Sequence, residues 1–135
     1  MGIAPFLVAS SIQAVMAQRL VRTFCQNCKG PAEPPVTKLR AAGLRDQDWE
    51  GRTFYEGAGC DNCRGSGHKG RKGIFEVMVM NPRLREMAFR KSPTDKLRTQ
   101  AINDGMLTLF EDGVRKVLEG MTTIDEILKV AVQKD

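Results

Sequence analysis

Apolar residues in the first part of the chain recur at helical spacing. Val8, Ile12, Val15, Met16 and Leu20 form one stripe, and Gln18, Arg19 and Arg22 lie away from it. The pattern predicts a helix from about Ser10 to Arg22, with Gln18 and Arg19 on its solvated surface. Lys29-Gly-Pro-Ala-Glu-Pro-Pro35 breaks regular structure. A short helix is expected next, with Thr37 as N-cap, Leu39 inward and Gly43 past its end. Thr53–Glu56 reads as a brief strand. Gly73–Met80 reads as a longer one, apolar enough to be covered on much of both faces.

From Asn81 the texture becomes helical. Asn81-Pro82 is an N-cap followed by an N1 proline, opening a helix through Leu84, Met87 and Ala88. Ser92-Pro93 repeats the device for a helix through Leu97 and Ile102 to Gly105, with Asp95 favouring the dipole of its first turn. Thr108 can cap a third helix through Phe110, Val114, Val117 and Leu118. Thr123-Ile-Asp-Glu126 is a capping box for a fourth, with Ile127, Leu128 and Ala131 inward. The expected fold class is α+β and mainly helical: a four-cysteine module with short strands, then a C-terminal bundle of short helices.

The candidate chemistry sits between the predicted elements. All four cysteines fall in two similar frames, Cys25-Gln-Asn-Cys28-Lys-Gly30 and Cys60-Asp-Asn-Cys63-Arg-Gly65. Two residues between thiols let both sulfurs face one point, and two such pairs supply the tetrahedral thiolate shell that zinc prefers. The glycine two places past each second cysteine allows φ > 0, so that backbone N–H groups can turn toward the sulfurs. The expectation is one structural zinc held by Cys25, Cys28, Cys60 and Cys63; two disulfides or free thiols are the plainer alternative. A zinc with four cysteine ligands has no open position, which argues against metal catalysis. His68, the only histidine, is expected to face solvent from a loop.

Composition changes this picture little. At 135 residues the chain is one small domain or two subdomains sharing a metal, with a mostly aliphatic core. The start lacks a basic n-region and a cleavage site, and no uncharged apolar run approaches a membrane span. A reducing cytosol is therefore expected, where paired CxxC motifs favour metal. The formal charge of +5 falls to about +3 once a zinc with four thiolates contributes its net −2. Arg64, Lys69, Arg71 and Lys72 cluster near the cysteines, where they would offset that anionic centre or receive a phosphate. Gly65-Ser-Gly67-His-Lys-Gly70 matches G-x-G-x-x-G by letter but follows a knuckle and precedes a strand, the wrong context for a dinucleotide. It also misses a P-loop, because Arg71-Lys72 stands where Lys-Ser/Thr is required. No nucleophile and base stand together, so the chain alone is not expected to be an enzyme.

Several short motifs agree in order. Pro5-Phe-Leu-Val-Ala-Ser-Ser11, Ala17-Gln-Arg-Leu-Val-Arg22 and Cys25-x-x-Cys28 are followed by Cys60-x-x-Cys63-x-Gly65-x-Gly67. Then come Gly70-Arg-Lys-Gly73-Ile-Phe-Glu76, Gly105-Met-Leu-Thr-Leu109, Asp112-Gly113 and Gly120-Met-Thr-Thr-Ile-Asp-Glu126. Together they resemble the region after the ATPase core in the hexameric secretion ATPases, the motors of type II secretion and type IV pilus assembly. The resemblance implies a tetracysteine zinc module and helical C-terminal region behind a RecA-like P-loop domain, with ATP and Mg²⁺ bound only in that parent. It implies three parts: 1–24 as the last helix of the core or a link from it, 25–80 as the zinc module, and 81–135 as a helical subdomain. The implied partners are the rest of the ATPase, neighbouring subunits of a homohexamer, and an inner-membrane platform or docking protein. The implied location is cytoplasmic, peripheral at the inner membrane. The alternative is a free-standing zinc ribbon binding nucleic acid or, as Cys60-x-x-Cys63-x-Gly-x-Gly67 suggests, unfolded protein in the manner of DnaJ-type chaperones. Only one full repeat is present, and no aromatic residues interleave the basic ones for base stacking, so nucleic acid is not an expected partner.

Overall fold

A computed structural model describes residues 13–131. Among the described residues the chain forms six helices and two two-stranded antiparallel sheets, an α+β arrangement. Strand β1 (Ala14–Phe24) leads into the first knuckle, and β2 (Lys29–Ala32) leaves it. Helices α1 (Val36–Ala41) and α2 (Asp46–Trp49) follow, then β3 (Phe54–Gly57), a 3₁₀ turn at Asp61–Cys63 and β4 (His68–Val79). The chain ends in α3 (Pro82–Phe89), α4 (Thr94–Asn103), α5 (Leu109–Leu118) and α6 (Ile124–Val130). Strand β1 pairs with β4, and β2 pairs with β3 in the register Lys29↔Gly57 to Ala32↔Phe54.

The described chain divides into two compact units. One holds residues 13–17 with Phe75–Thr108, the other Gln18–Ile74 with residues 109–131. Helices α3 and α4 pack together in the first, α5 and α6 in the second, so the four C-terminal helices are shared between units. The main core lies in the second unit, where Val21, Leu39, Phe54, Ile74, Phe110, Val114, Ile124 and Ile127 are buried together. Buried apolar area of this kind supplies the main favourable term in folding.

The structure corrects four readings of the pattern. The predicted helix over 10–22 is the strand β1 from Ala14 onward; residues 10–12, with Val8 and Ile12, lie outside the described residues. The same apolar positions serve a strand because β4 supplies hydrogen bonds along them, and the Met80 N–H donates to the Gln13 carbonyl at 2.9 Å. Strand β4 is covered on one face rather than two: Ile74, Glu76 and Met78 are sheltered, while Phe75, Val77 and Val79 are exposed. Thr37 lies inside α1, whose N-cap position is Pro35. Helix α4 starts one residue later than expected, with Pro93 at its N-cap position.

Other end signals hold. The Asn81 carbonyl oxygen of the side chain accepts from the Leu84 N–H at 2.8 Å, and Thr123 Oγ1 accepts from the Glu126 N–H at 3.2 Å. Glu126 turns away from that box. Its carboxylate accepts from the Arg22 backbone N–H at 2.9 Å and from the Arg22 guanidinium at 3.1 and 3.0 Å, joining α6 to β1 within the second unit.

Candidate metal centre

Strand pairing sets the two knuckles against each other. Phe24 is held by its N–H donating to the Met121 carbonyl at 3.1 Å, and the next residue, Cys25, donates to the Gly67 carbonyl at 3.0 Å. Beside this, Thr122 Oγ1 donates to the Arg22 carbonyl at 2.6 Å. The loop between α5 and α6 therefore fixes the end of β1 and the direction in which Cys25 leaves it. Across the other sheet, the Ala58 N–H donates to the Cys28 carbonyl at 3.3 Å, bringing the end of β3 to the first knuckle. The second knuckle closes with the Gly65 N–H on the Cys60 carbonyl at 2.8 Å.

This frame brings all four cysteines together, with every sulfur within 4.8 Å of the others. Cys25 and Cys60 Sγ stand 3.8 Å apart, Cys28 and Cys63 3.8 Å, Cys60 and Cys63 3.7 Å. None is in a disulfide. Four ligands at about 2.3 Å from a tetrahedral centre stand about 3.8 Å apart, so the spacing fits a metal that prefers thiolates. Such an ion could be held by these four side chains.

The surroundings stabilise thiolate. Cys63 Sγ accepts from the Cys60 N–H at 3.3 Å and from the Gly67 N–H at 3.2 Å, and Cys60 Sγ accepts from Asn27 Nδ2 at 3.2 Å. Burial works against the Cys63 anion, but those two backbone donors, with the neighbouring thiols, bring its pKa down to about 6. The Asn27 amide lowers that of Cys60. Cys28 goes the other way, pushed up to about 11 mainly by desolvation, with neighbouring sulfurs adding to the rise. Four thiolates this close repel one another, and a cation among them removes the conflict.

Glycine makes the close approach possible. A Cβ on Gly57 would lie 2.2 Å from the Gly67 carbonyl oxygen, and one on Gly67 (φ +77°) 2.5 Å from that of Gly57. The expectation of positive φ two places past each second cysteine holds for Gly65 (φ 79°) and fails for Gly30, which is an ordinary residue of β2. The first knuckle opens directly into a strand and needs no left-handed turn.

Sequence reasoning missed an aromatic block beside the sulfurs. His68 does not face solvent from a loop; it begins β4, half-buried, its ring 6.1 Å from Phe24 and near-parallel to it. Tyr55 meets Phe24 edge-on at 6.5 Å, and the Lys29 ammonium lies 4.3 Å from the Tyr55 ring centre. The signal available was the phenylalanine directly before the first cysteine. His68 is not among the residues gathered as potential metal ligands. Of the other residues singled out, Arg19 and Gln18 lie exposed on β1, and Arg19 donates to the Gln18 carbonyl at 2.8 Å.

Fold and site together describe an α+β chain with a four-cysteine centre able to hold a metal ion. The chain belongs to the type II/IV secretion system protein family, whose model matches residues 1–129. It is 36% identical over 133 residues to the type IV pilus assembly ATPase PilB of Thermus thermophilus, covering 98% of this chain and 15% of that protein. It is 39% identical to the PilB of Myxococcus xanthus over 129 residues, 95% of this chain and 23% of the relative. To the type II secretion system protein E of Aeromonas hydrophila it is 36% identical over 130 residues, 96% of this chain and 25% of the relative. The chain thus spans a quarter or less of the length of these relatives. Among the described residues no helix is long and apolar enough to cross a membrane.

Proposed function

We propose that this chain is the zinc-bearing C-terminal part of a cytoplasmic motor ATPase that powers type IV pilus assembly or type II protein secretion. The observation that carries the reading is the convergence of four sulfurs at tetrahedral spacing within a chain of the secretion family. Cys25, Cys28, Cys60 and Cys63 are the proposed zinc ligands. ATP and Mg²⁺ belong to the P-loop domain of the parent.

The role of the module is mechanical. When bound, zinc supplies four metal–sulfur bonds; structural sites of this kind in small peptides contribute about 10–16 kcal/mol. The loop between Cys28 and Cys60 keeps Leu39, Ala42 and Phe54 in the core, and the ion closes its open end. Force from hydrolysis elsewhere then crosses a stiff lobe to a neighbouring subunit or an inner-membrane platform. The exposed apolar side chains of the first unit, Met16 (62%), Val77 (42%) and Val79 (65%), fit a chain that works packed against more protein. Thermus PilB and Aeromonas protein E lie at the same 36% identity, and both outputs are kept.

Cys25→Ser or Cys60→Ser is expected to release zinc and open residues 29–59 to protease. Wild-type protease resistance and melting in both variants would contradict the stabilising role. In the parent motor, the same substitutions should leave nucleotide binding in place and abolish pilus or secretion output. Undiminished output would remove the force-transmitting role.

A further inference from the structure

The second unit carries two unpaired charge sets of opposite sign. Just past the second knuckle and along the start of β4, Arg64, Lys69, Arg71 and Lys72 are all exposed. Lys69 donates to the neutral Asn62 side chain at 2.8 Å, and none of the four makes an ion pair among the described residues. Among the described residues none of the four donates directly to a sulfur, and Lys69 reaches the cluster only through Asn62. The hydrogen bonds to Cys25, Cys60 and Cys63 come from Asn62, Asn27 and backbone N–H groups. Arg64 in addition holds a left-handed backbone (φ 56°) where it caps the end of the 3₁₀ turn.

The opposite charge rims a groove between the β2–β3 sheet and the start of α6. Its floor is apolar, from Phe54, Val117 and Ile124, and its rim carries Glu33, Glu56 and Asp125. Asp125 already pairs with Lys38 at 2.8 Å; Glu33 and Glu56 make no ion pair among the described residues. At about 210 Å³ the groove is smaller than the roughly 300–1,000 Å³ typical of small-molecule pockets. It suits one long side chain, with its aliphatic stem on the floor and its cationic head at the carboxylates.

We propose that the groove receives the basic stretch 64–72 of a second copy of this chain, Arg64 or Arg71 anchoring against Glu33 and Glu56. Both halves of the contact are exposed and complementary on one small unit, without an ion pair among the described residues, and a second copy satisfies both at once. The proposal rests on the motor-module reading in one respect: it names the surfaces by which neighbouring subunits would meet.

The test is sedimentation of the intact chain, with zinc content measured on every sample. The wild-type chain should self-associate weakly, with Kd on the order of 100 μM at about 50 mM salt, and at least tenfold more weakly at about 500 mM. Arg64→Glu with Arg71→Glu, and separately Glu33→Lys with Glu56→Lys, should each abolish association while keeping wild-type zinc. An equimolar mixture of the two variants should associate again. The neutral pair Arg64→Gln with Arg71→Gln serves if the reversed one loses zinc, and should also abolish association. A wild-type chain that stays monomeric at about 1 mM, or reversed variants that do not restore each other, overturns the contact. So does binding of the wild-type chain to anionic vesicles or duplex DNA without self-association, which would assign the basic stretch to a polyanion. Loss of zinc from the wild-type chain would instead sink the module reading, so the two failures are distinguishable.

Discussion

Glu126 shows how one side chain joins two distant elements. Its carboxyl is 6% exposed and takes three hydrogen bonds from Arg22 and one from Lys129 at 2.8 Å. The Arg22 guanidinium, with smaller help from Lys129 and the Arg22 N–H against the cost of burial, holds its pKa at about 2. The folded-state value is depressed, so the stabilisation is complete above the unfolded value near 4.5 and drains away as pH falls toward 2. Glu126→Gln should therefore lower stability at pH 7 by about 2 kcal/mol, allowing for screening of the 46% exposed Arg22. It should also flatten the acid limb of a denaturation series between about pH 5 and 2. An unchanged acid limb would contradict the assignment. Gly67 acts by what it lacks. Gly67→Ala sets a Cβ 2.5 Å from the Gly57 carbonyl oxygen and strains φ +77° at the residue whose own N–H donates to Cys63. A loss of about 2 kcal/mol and at least tenfold weaker zinc binding in chelator competition are expected.

At the scale of elements, what was legible followed from local chemistry. Asn81 and Thr123 cap the helices they were expected to cap, because a side-chain oxygen on the third N–H needs no distant partner. Leu39 and Gly43 likewise mark the inward face and the end of α1. Strand β1 was misread because Val15, Met16 and Leu20 match a helical stripe, and the hydrogen bonds that decide for a strand come from β4, far along the chain. The exposed face of β4 was hidden for a similar reason, since an apolar run looks the same whether or not something covers it. Leu128, expected inward on α6, is exposed, while Ile127 and Ala131 are buried. Gly113 meets Ile127 where α5 crosses α6, and a Cβ there would stand 2.6 Å from the Ile127 Cγ2. Gly113→Ala gains about 1 kcal/mol of helix propensity but overpacks that crossing by about 1–3 kcal/mol. Thermal melting should therefore show a net loss, and a raised melting temperature would contradict the packing.

For the whole molecule, the cysteine pairs were the most legible feature, because CxxC spacing sets local geometry and two pairs imply one centre. The means of their approach was not legible, since it depends on the Gly57–Gly67 contact and on the loop before α6 holding Phe24. In the proposed role, the second unit is a lobe closed by an ion. The most direct measurement is X-ray absorption at the zinc edge on protein purified under reducing conditions, alongside elemental analysis. The account predicts one zinc per chain with four sulfur neighbours at about 2.3 Å. A metal-free chain, or zinc bound by nitrogen and oxygen with the cysteines paired as disulfides, would contradict it.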